Sequence, residues 1–263
     1  MAGVNILLHS SKTMRAAAGS AGLLRPPPLL GQTRALAAYL KTLTPRQLAQ
    51  VMTISPPLAK KTQALLAAWT DAPERQTPAI DTFIGDIYSG LQAPSLSAAD
   101  REYADQTLRI LSGLYGILRP LDGICPYRLE MGYKLPDPKF ANLYAYWGAA
   151  LAAWAPHDGP LVNLAAMEYA QAVLPFVDAA RLVAPKFLTI SPKTGEPAFV
   201  VVHAKIARGA FARWLITQRV EDVAALKEFK DLGYRFNRKL SAPGSPAFVC
   251  EAFGGKGLSI RLQ

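Results

Sequence analysis

The chain has 263 residues, of which 51% are hydrophobic and 18% charged, and this balance excludes a disordered protein and allows a sizeable core. Its formal net charge is +10, and residues 181–263 hold 14 basic and 6 acidic residues, against 15 and 13 in residues 1–180. The two cysteines and three histidines lack the spacing of a disulfide framework or a metal site, so we expect a reducing cytoplasm, no metal and no cofactor.

The uneven basic charge predicts an anionic partner, DNA or a nucleotide, and no membrane. A basic surface that only improves solubility is the alternative. No stretch has the pattern of a signal peptide or the length of a membrane span, and no internal repeat or domain boundary stands out. We therefore expect a single mixed α/β domain over residues 1–263, a monomer, in which helices surround a central sheet.

The first predicted element is a buried strand over residues 4–9. Ser11, Lys12 and Thr13 follow it directly. A lysine placed just after a strand can present its ammonium to a phosphate or a carboxylate. The glycines of a P-loop are missing, so the pattern does not indicate that motif. A solvated loop lysine is the alternative interpretation.

Several helices are predicted in the next hundred residues. A loop over residues 16–32 leads to a helix over residues 33–43. Thr44-Pro45 and Ser55-Pro56 each place a hydroxyl residue at an N-cap and a proline at N1, which predicts a helix after each pair. Residues 79–88 are predicted to be extended. Ser97, with Asp100 three residues on, predicts a capped helix that continues to about residue 111. A further helix is predicted over residues 140–154.

A short strand over residues 161–165 carries Asn163 and is followed by Glu168 and Tyr169. Because α/β folds place ligand groups at the carboxyl ends of strands, these three residues are candidates for a binding site. Two further strands, over residues 181–190 and 199–204, are predicted to form a hairpin.

Residues 205–218 are predicted to form a helix with an outward basic ridge. At 100° per residue, Lys205, Arg208 and Arg219 share one face, opposite an apolar face. A basic strand over residues 234–239 follows, and another strand over residues 247–253 returns. If the ridge and the basic strand border one groove, they could follow a phosphate backbone. A solvated outer face is the alternative.

We expect the site to be organised around residues 111–132. Gly113 and Gly116 are predicted to end the preceding helix, at least one of them with positive φ, and Pro120 keeps a helix from resuming. Charged residues lie among apolar neighbours here, which is unusual for a merely structural turn. These residues are Arg119, Asp122, Arg128 and Glu130.

The motifs resemble the YaaA-type peroxide-stress family of bacterial proteins over nearly the whole chain. The motifs that carry the resemblance are Ser11-Lys12-Thr13, residues 85–91, 111–122 and 126–132, Asn163-Leu164-Ala165 with Glu168-Tyr169, and Ala207-Arg208-Gly209. The resemblance implies a mixed α/β domain with a positively charged cleft, a helix-hairpin-helix element and DNA binding. It also implies a role in peroxide stress through the limitation of free iron.

The first functional hypothesis is a DNA-binding protein without strong sequence specificity. Glycines of a hairpin let backbone N–H groups approach phosphates, and nearby basic side chains add charge. A helix C-cap followed by a packed turn is the alternative for Gly113 and Gly116. The residues expected to contact nucleic acid or phosphate are Ser11, Lys12, Thr13, Gly113, Tyr115, Gly116, Arg119, Tyr127, Arg128, Asn163, Glu168, Tyr169, Lys205 and Arg208.

The second hypothesis is an enzyme that acts on a nucleotide or a nucleic-acid base, similar to a glycosylase or a transferase. Glu130 or Asp122 could act as a general base or stabilise a developing cation. Lys12 could be a nucleophile. Arg119 and Arg128 could hold a phosphate. The alternative is that these charges only pair with one another and fix the loop.

Overall fold

A five-stranded and a four-stranded sheet form the framework of the protein, whose computed structural model describes residues 3–15 and 24–259. The strands are β1 (Asn5–His9), β2 (Thr13–Met14), β3 (Thr77–Pro78), β4 (Phe83–Ile84), β5 (Leu108–Ser112), β6 (Gly116–Leu118), β7 (Gly123–Ile124), β8 (Leu161–Asn163), β9 (Leu182–Val183), β10 (Lys186–Ile190), β11 (Pro197–Ala198), β12 (Tyr234–Phe236) and β13 (Ala247–Cys250). The expected mixed α/β architecture is confirmed.

The five-stranded sheet has the order β6-β5-β1-β8-β9, with β1 at its centre. β1 runs parallel to β5 and β8, while β6 returns antiparallel to β5. The apolar residues of β1 are buried on both faces, as a central parallel strand requires. The carboxyl ends of β1, β5 and β8 therefore meet at one edge of the sheet.

The four-stranded sheet has the order β11-β10-β13-β12. β10 and β11 form an antiparallel hairpin in the predicted region, but its second strand is Pro197–Ala198 and not residues 199–204. The residues after β11 begin a helix instead of the predicted strand over 199–204. β10 pairs in parallel with β13, and Phe187 packs between Phe211 and Phe248.

The helices follow the predicted caps more closely than the predicted lengths. The α-helices are α1 (Leu30–Thr42), α2 (Pro45–Met52), α3 (Pro56–Ala67), α4 (Ala79–Thr82), α5 (Asp86–Leu91), α6 (Ala98–Thr107), α7 (Leu143–Trp147), α8 (Met167–Ala170) and α9 (Val201–Thr217). Thr44 and Ser97 both form capping boxes. The predicted extended segment 79–88 is mostly helical, and the predicted helix over 140–154 is shortened to α7 and short 3₁₀ turns. Residues 16–23 of the predicted loop lie outside the described residues.

The prediction of a helix-hairpin-helix element around Gly113 and Gly116 is wrong, because this stretch is a β-hairpin. α6 ends at Thr107, and β5 continues directly from it into the sheet beside β1. Residues Leu108–Ser112 gain backbone hydrogen-bond partners from β1 and β6 there, and this pairing overrides their helical pattern. Gly116 has φ +71°, as expected for at least one of the two glycines.

Helices α5 and α9 cross at two glycines. A Cβ atom on Gly90 would lie 2.0 Å from the carbonyl oxygen of Ile206, and one on Gly209 would lie 1.8 Å from that of Ile87. No side chain larger than hydrogen fits at either position. This contact fixes α9 against α5. Gly85, the residue before α5, lies against the hydroxyl of Ser11, so α5 begins beside the loop after β1.

We predict that Gly209→Ala or Gly90→Ala lowers the free energy of unfolding by about 3 kcal/mol, because the helix backbones would have to separate. The matched control is Gly31→Ala in α1, where nothing lies within 4 Å of an added Cβ. The control should be neutral or stabilising by up to about 1 kcal/mol. Urea denaturation measures the free energy of unfolding of these variants and of the control. Equal effects at Gly209 and Gly31 would show that the helices are not held at this distance.

Candidate functional site

The candidate site lies where β1, β5 and β8 end. The end of β1 contributes His9, and the loop after it contributes Ser10 and Lys12; His9 and Ser10 are buried, and Lys12 is exposed. The backbone N–H of Ser10 donates to the carbonyl of Leu111 in β5, so the loop is anchored to the neighbouring strand. The hydroxyl of Ser11 accepts from the N–H of Thr13 and turns the chain into β2.

Lys12 and Glu130 form an ion pair in this site. The ammonium of Lys12 lies 2.7 Å from Oε2 of Glu130, with 54% of the lysine side chain exposed and 12% of the glutamate. The guanidinium of Arg128 reaches the carbonyl of Lys12 at 3.5 Å, while its buried Nε–H has no hydrogen-bond acceptor among the described residues. Residues separated by more than a hundred positions are thus brought together.

Gly113 positions Glu130 instead of contacting a phosphate. A Cβ atom on Gly113 would lie 2.5 Å from the carbonyl oxygen of Leu129, so the hairpin turn after β5 packs directly on the backbone next to Glu130. The carbonyl of Gly113 accepts from Nε1 of Trp147 and is turned away from the site. The motif identified in the sequence therefore acts as a support for the site.

Buried hydroxyl groups line the floor of the site. Ser112 and Tyr127 share a hydrogen bond of 2.6 Å, and the hydroxyl of Ser10 interacts with the phenols of Tyr127 and Tyr169. Burial raises the pKa of Tyr127 to about 12, and it also raises that of Tyr169 well above its usual value. Both phenols therefore stay protonated at neutral pH and can act as hydrogen-bond donors. Tyr133 adds a third phenol, whose pKa burial and the neighbouring Glu130 raise to about 12.

His9 is neutral in the folded protein. Burial, with added repulsion from Arg208 and Lys205, lowers the pKa of this imidazole to about 3. Its Nδ1 accepts a hydrogen bond of 3.1 Å from the N–H of Ala166, so the neutral ring carries its proton on Nε2. The ring stacks on Tyr169 at 4.8 Å between centroids. His9 thus offers one N–H donor in a fixed orientation.

Asn163 and Glu168 shape the chain around the site. Oδ1 of Asn163 accepts from the N–H of Ala165 and closes the turn after β8. Oε1 of Glu168 accepts from the N–H of Gly132 at 3.1 Å, which links α8 to the segment that carries Glu130. Both were predicted to contact a ligand, and both have internal partners that hold the site together.

The basic ridge predicted on α9 does not face outward. Lys205 and Arg208 act on His9 from the helix above the end of β1, and burial lowers the pKa of the Arg208 guanidinium. Arg219 lies beyond the end of α9, pairs with Asp100 at 2.8 Å and covers the ring of Tyr103. The ridge prediction is wrong because α9 is half-buried on this side and ends two residues before Arg219.

Arg119 and Asp122 belong to a different part of the protein. They follow β6, whose Leu118 is opposite Ile110, so they lie toward the beginning of β5 and not at its carboxyl end. Asp122 is fully buried and accepts from the guanidinium and the backbone N–H of Arg119. The expectation that Arg119 and Asp122 join Lys12 and Glu130 in one site is therefore wrong. For this pair, the alternative of charges that fix a loop fits the structure.

Two other predicted contact residues are core residues. Tyr115 is 1% exposed, and its hydroxyl accepts from Nε1 of Trp69 and from the N–H of Cys125. Gly116 packs on the side chain of Trp147. Neither can reach a ligand at the strand ends.

The sequence analysis did not identify His9 and Ser10 as site residues. His9 ends a buried strand, and Ser10 follows it. Their neighbours in the sequence are apolar or small residues, which form no motif that indicates a site. Among residues 3–15 and 24–259, no group of three His, Cys, Asp or Glu side chains is arranged to hold a metal ion. Over the same residues, none of the helices combines the length and the apolarity needed to cross a bilayer.

Comparisons with known proteins give one consistent result. Residues 4–240 match the family described as peroxide stress protein YaaA. A UPF0246 protein of Salinispora tropica is 60% identical over 256 residues, which cover 97% of both chains. UPF0246 proteins of Shewanella oneidensis and Ruegeria pomeroyi are 40% and 43% identical, over 86% and 81% of this chain and 90% and 86% of theirs.

We predict that His9 makes the protein less stable as the pH falls. Its pKa is about 3 in the folded state and about 6.5 when unfolded, so below pH 6.5 the unfolded chain binds a proton that the folded protein does not. As the pH falls from 6.5 to 3, the free energy of unfolding should therefore decrease by up to about 1.4 kcal/mol per pH unit. Urea denaturation at several pH values should give a shallower slope for His9→Asn, which keeps an acceptor for Ala166. Identical slopes for the wild type and the variant would contradict the assignment of a neutral His9. His157→Asn, at an exposed position, is the control.

Proposed function

The chain belongs to the YaaA peroxide-stress family, and from this premise we propose that it is an enzyme acting on a nucleotide or a nucleic-acid base during that response. The proposal is supported mainly by the opposite charges and buried hydroxyl groups that lie together at the ends of three parallel strands. A site of this kind presents donors, acceptors and a carboxylate to one small ligand.

Glu130 is the residue best placed for chemistry. Its carboxylate is nearly buried, and it lies beside the ammonium of Lys12 and the phenol of Tyr133. In this position it can accept a proton, or stabilise positive charge that develops on a sugar ring when a glycosidic bond breaks. Asp122, the other carboxylate considered, is fully buried against Arg119 elsewhere.

The neighbours of Glu130 would bind and orient the ligand. Lys12 is half exposed, so it can exchange its contact with Glu130 for one with a ligand anion at little structural cost. The protonated phenols of Tyr127 and Tyr169 can donate hydrogen bonds to an exocyclic oxygen or ring nitrogen of a base. The Nε–H of Arg128, which has no acceptor among residues 3–15 and 24–259, supports the presence of a ligand acceptor at this position.

DNA binding through a basic cleft is the second candidate function. It is favoured by Arg235, Arg238 and Lys239, which are exposed on β12 and the turn after it. Contacts of this kind would be to phosphates, and the affinity would fall with salt by a slope of about −0.9 for each phosphate neutralised. The mixture of charges around Glu130 fits a small ligand better than a long duplex.

We predict that the protein releases or modifies the base of a nucleotide or an oligonucleotide, and that Glu130→Gln lowers the rate by about 10² to 10⁴. Chromatography with mass spectrometry of a panel of nucleoside monophosphates and oligonucleotides detects the product. Lys12→Ala should mainly weaken binding, and Lys193→Ala, on the exposed turn after β10, should change neither quantity. Undiminished turnover in Glu130→Gln would remove Glu130 from the chemistry. Absence of turnover, together with duplex binding that Arg238→Glu and Lys239→Glu abolish, would favour the second candidate function.

A further inference from the structure

Arg128 presents one edge of its guanidinium without an acceptor. Its Nη1 lies 3.5 Å from the carbonyl oxygen of Lys12, and no ion pair or other hydrogen bond of this side chain lies within residues 3–15 and 24–259. Its Nε–H is buried. A buried N–H normally has a hydrogen-bond partner, because leaving the bond unmade costs the desolvation of the group. The edge formed by Nε and Nη2 therefore indicates an acceptor that comes from outside the chain.

The backbone places Arg128 and Glu130 on one face of the chain. Both residues are partly exposed, whereas the residues before, between and after them are buried. The backbone of Leu129 packs on the hairpin turn after β5, and the N–H of Gly132 donates to the carboxylate of Glu168, so the segment is held on both sides of Glu130. The two charged side chains thus face the loop after β1 from a fixed backbone.

Lys12 contacts both of these residues. Its carbonyl oxygen accepts from Arg128, and its ammonium lies 2.7 Å from Oε2 of Glu130. Among the described cations, Lys12 alone is within ion-pair distance of Glu130. Because 54% of the lysine side chain is exposed, this ion pair contributes little to stability and the ammonium can turn to another anion. Two cations therefore adjoin one carboxylate, and one of the cations is free to move.

The unpaired edge of Arg128 fits an anion with two oxygens. Nε–H and one N–H of Nη2 point in parallel, and this fork matches two oxygens of a carboxylate or of a phosphate group. The carboxylates of the site are engaged, since Glu130 pairs with Lys12 and Glu168 accepts from the N–H of Gly132. A nucleotide or a nucleic-acid strand offers the two oxygens on its phosphate group.

We propose that Arg128 and Lys12 together bind one phosphate group of the ligand, and that this binding releases Glu130 from its ion pair. The inference rests on the proposed function, and it names the phosphate as the part of the substrate that the site requires. Arg128 supplies the fork of N–H donors, and Lys12 supplies a second positive charge when it leaves Glu130. A nucleoside or a free base lacks the phosphate, so it leaves the ion pair intact and Glu130 engaged.

Arg128→Lys tests the fork, because the variant keeps the positive charge and loses the two parallel N–H groups. Inorganic phosphate should raise the melting temperature of the wild type, relative to chloride at equal ionic strength. The phosphate affinity derived from this response should fall about tenfold or more in Arg128→Lys, the loss expected for one charge-assisted hydrogen bond. Arg46→Lys makes the same change on the exposed face of α2 and should keep the response.

Two further variants test the exchange made by Lys12. Lys12→Gln changes a half-exposed side chain, so the variant should fold as the wild type does and should bind phosphate about tenfold or more weakly. Glu130→Gln frees the ammonium in advance, so it should bind phosphate more tightly than the wild type, because a competing state is removed. Lys193→Gln, on the exposed turn after β10, is the matched control for Lys12→Gln.

Competition in the same assay identifies the source of the phosphate. A nucleoside 5′-monophosphate should displace inorganic phosphate if the ligand is a free nucleotide. A dinucleoside monophosphate, whose phosphate is a diester, should displace it if the ligand is a nucleic-acid strand. The corresponding nucleoside and free base should not compete. Failure of both phosphate-containing competitors would overturn the proposal, since inorganic phosphate would then bind elsewhere.

The proposal is also overturned if Arg128→Lys or Lys12→Gln keeps the full phosphate affinity, if Glu130→Gln binds phosphate no more tightly than the wild type, or if the nucleoside competes as well as its monophosphate. These results do not depend on turnover. Phosphate binding that Arg128→Lys abolishes, combined with full activity of Glu130→Gln, would reject the proposed chemistry alone. Full phosphate affinity in Arg128→Lys, combined with an inactive Glu130→Gln, would reject the phosphate subsite alone.

Discussion

The close crossing of α5 and α9 is the constraint on which the candidate site depends. Gly90 and Gly209 bring the two helix backbones to a distance that excludes any Cβ atom. α9 also packs on the four-stranded sheet through Phe211, and α5 begins beside the loop after β1. The crossing therefore joins the two sheets and places the cations of α9 above the end of the central strand.

The longest motif in the sequence supports the candidate site from outside it. The hairpin of β5 and β6 presses Gly113 against the backbone of Leu129, and this sets the position of Glu130. At the other end of the hairpin, Arg119 and Asp122 close a buried ion pair that anchors the turn after β6. The charged residues of this motif thus divide into Arg119 and Asp122, which hold a turn, and Arg128 and Glu130, which lie in the candidate site. Their spacing in the chain does not distinguish the two, whereas their position relative to the parallel strands does.

Sequence reasoning succeeded where local chemistry decides the structure. Thr44 and Ser97 have capping boxes because hydroxyl, carboxylate and amide groups within four residues satisfy the helix end themselves. It failed where partners distant in sequence decide the structure, since Leu108–Ser112 became a strand through pairing with β1 and β6.

The same distinction applies to the site. Lys12, Arg128 and Glu130 were recognised from their residue types, but their separation from Arg119 depends on strand register. His9 gave no signal because its role comes from Ala166, Tyr169 and α9, all more than 150 residues away.

The proposed function requires that one ligand binds at the ends of β1, β5 and β8, beside Lys12 and Glu130. A crystal structure of the protein with a nucleoside 5′-monophosphate tests the claim most directly. The proposed function predicts that the nucleotide binds at these strand ends, with an anionic group near Lys12 and its sugar or base in contact with Glu130. A nucleotide bound instead along Arg238 and Lys239, with no ligand density beside Lys12 and Glu130, would contradict it.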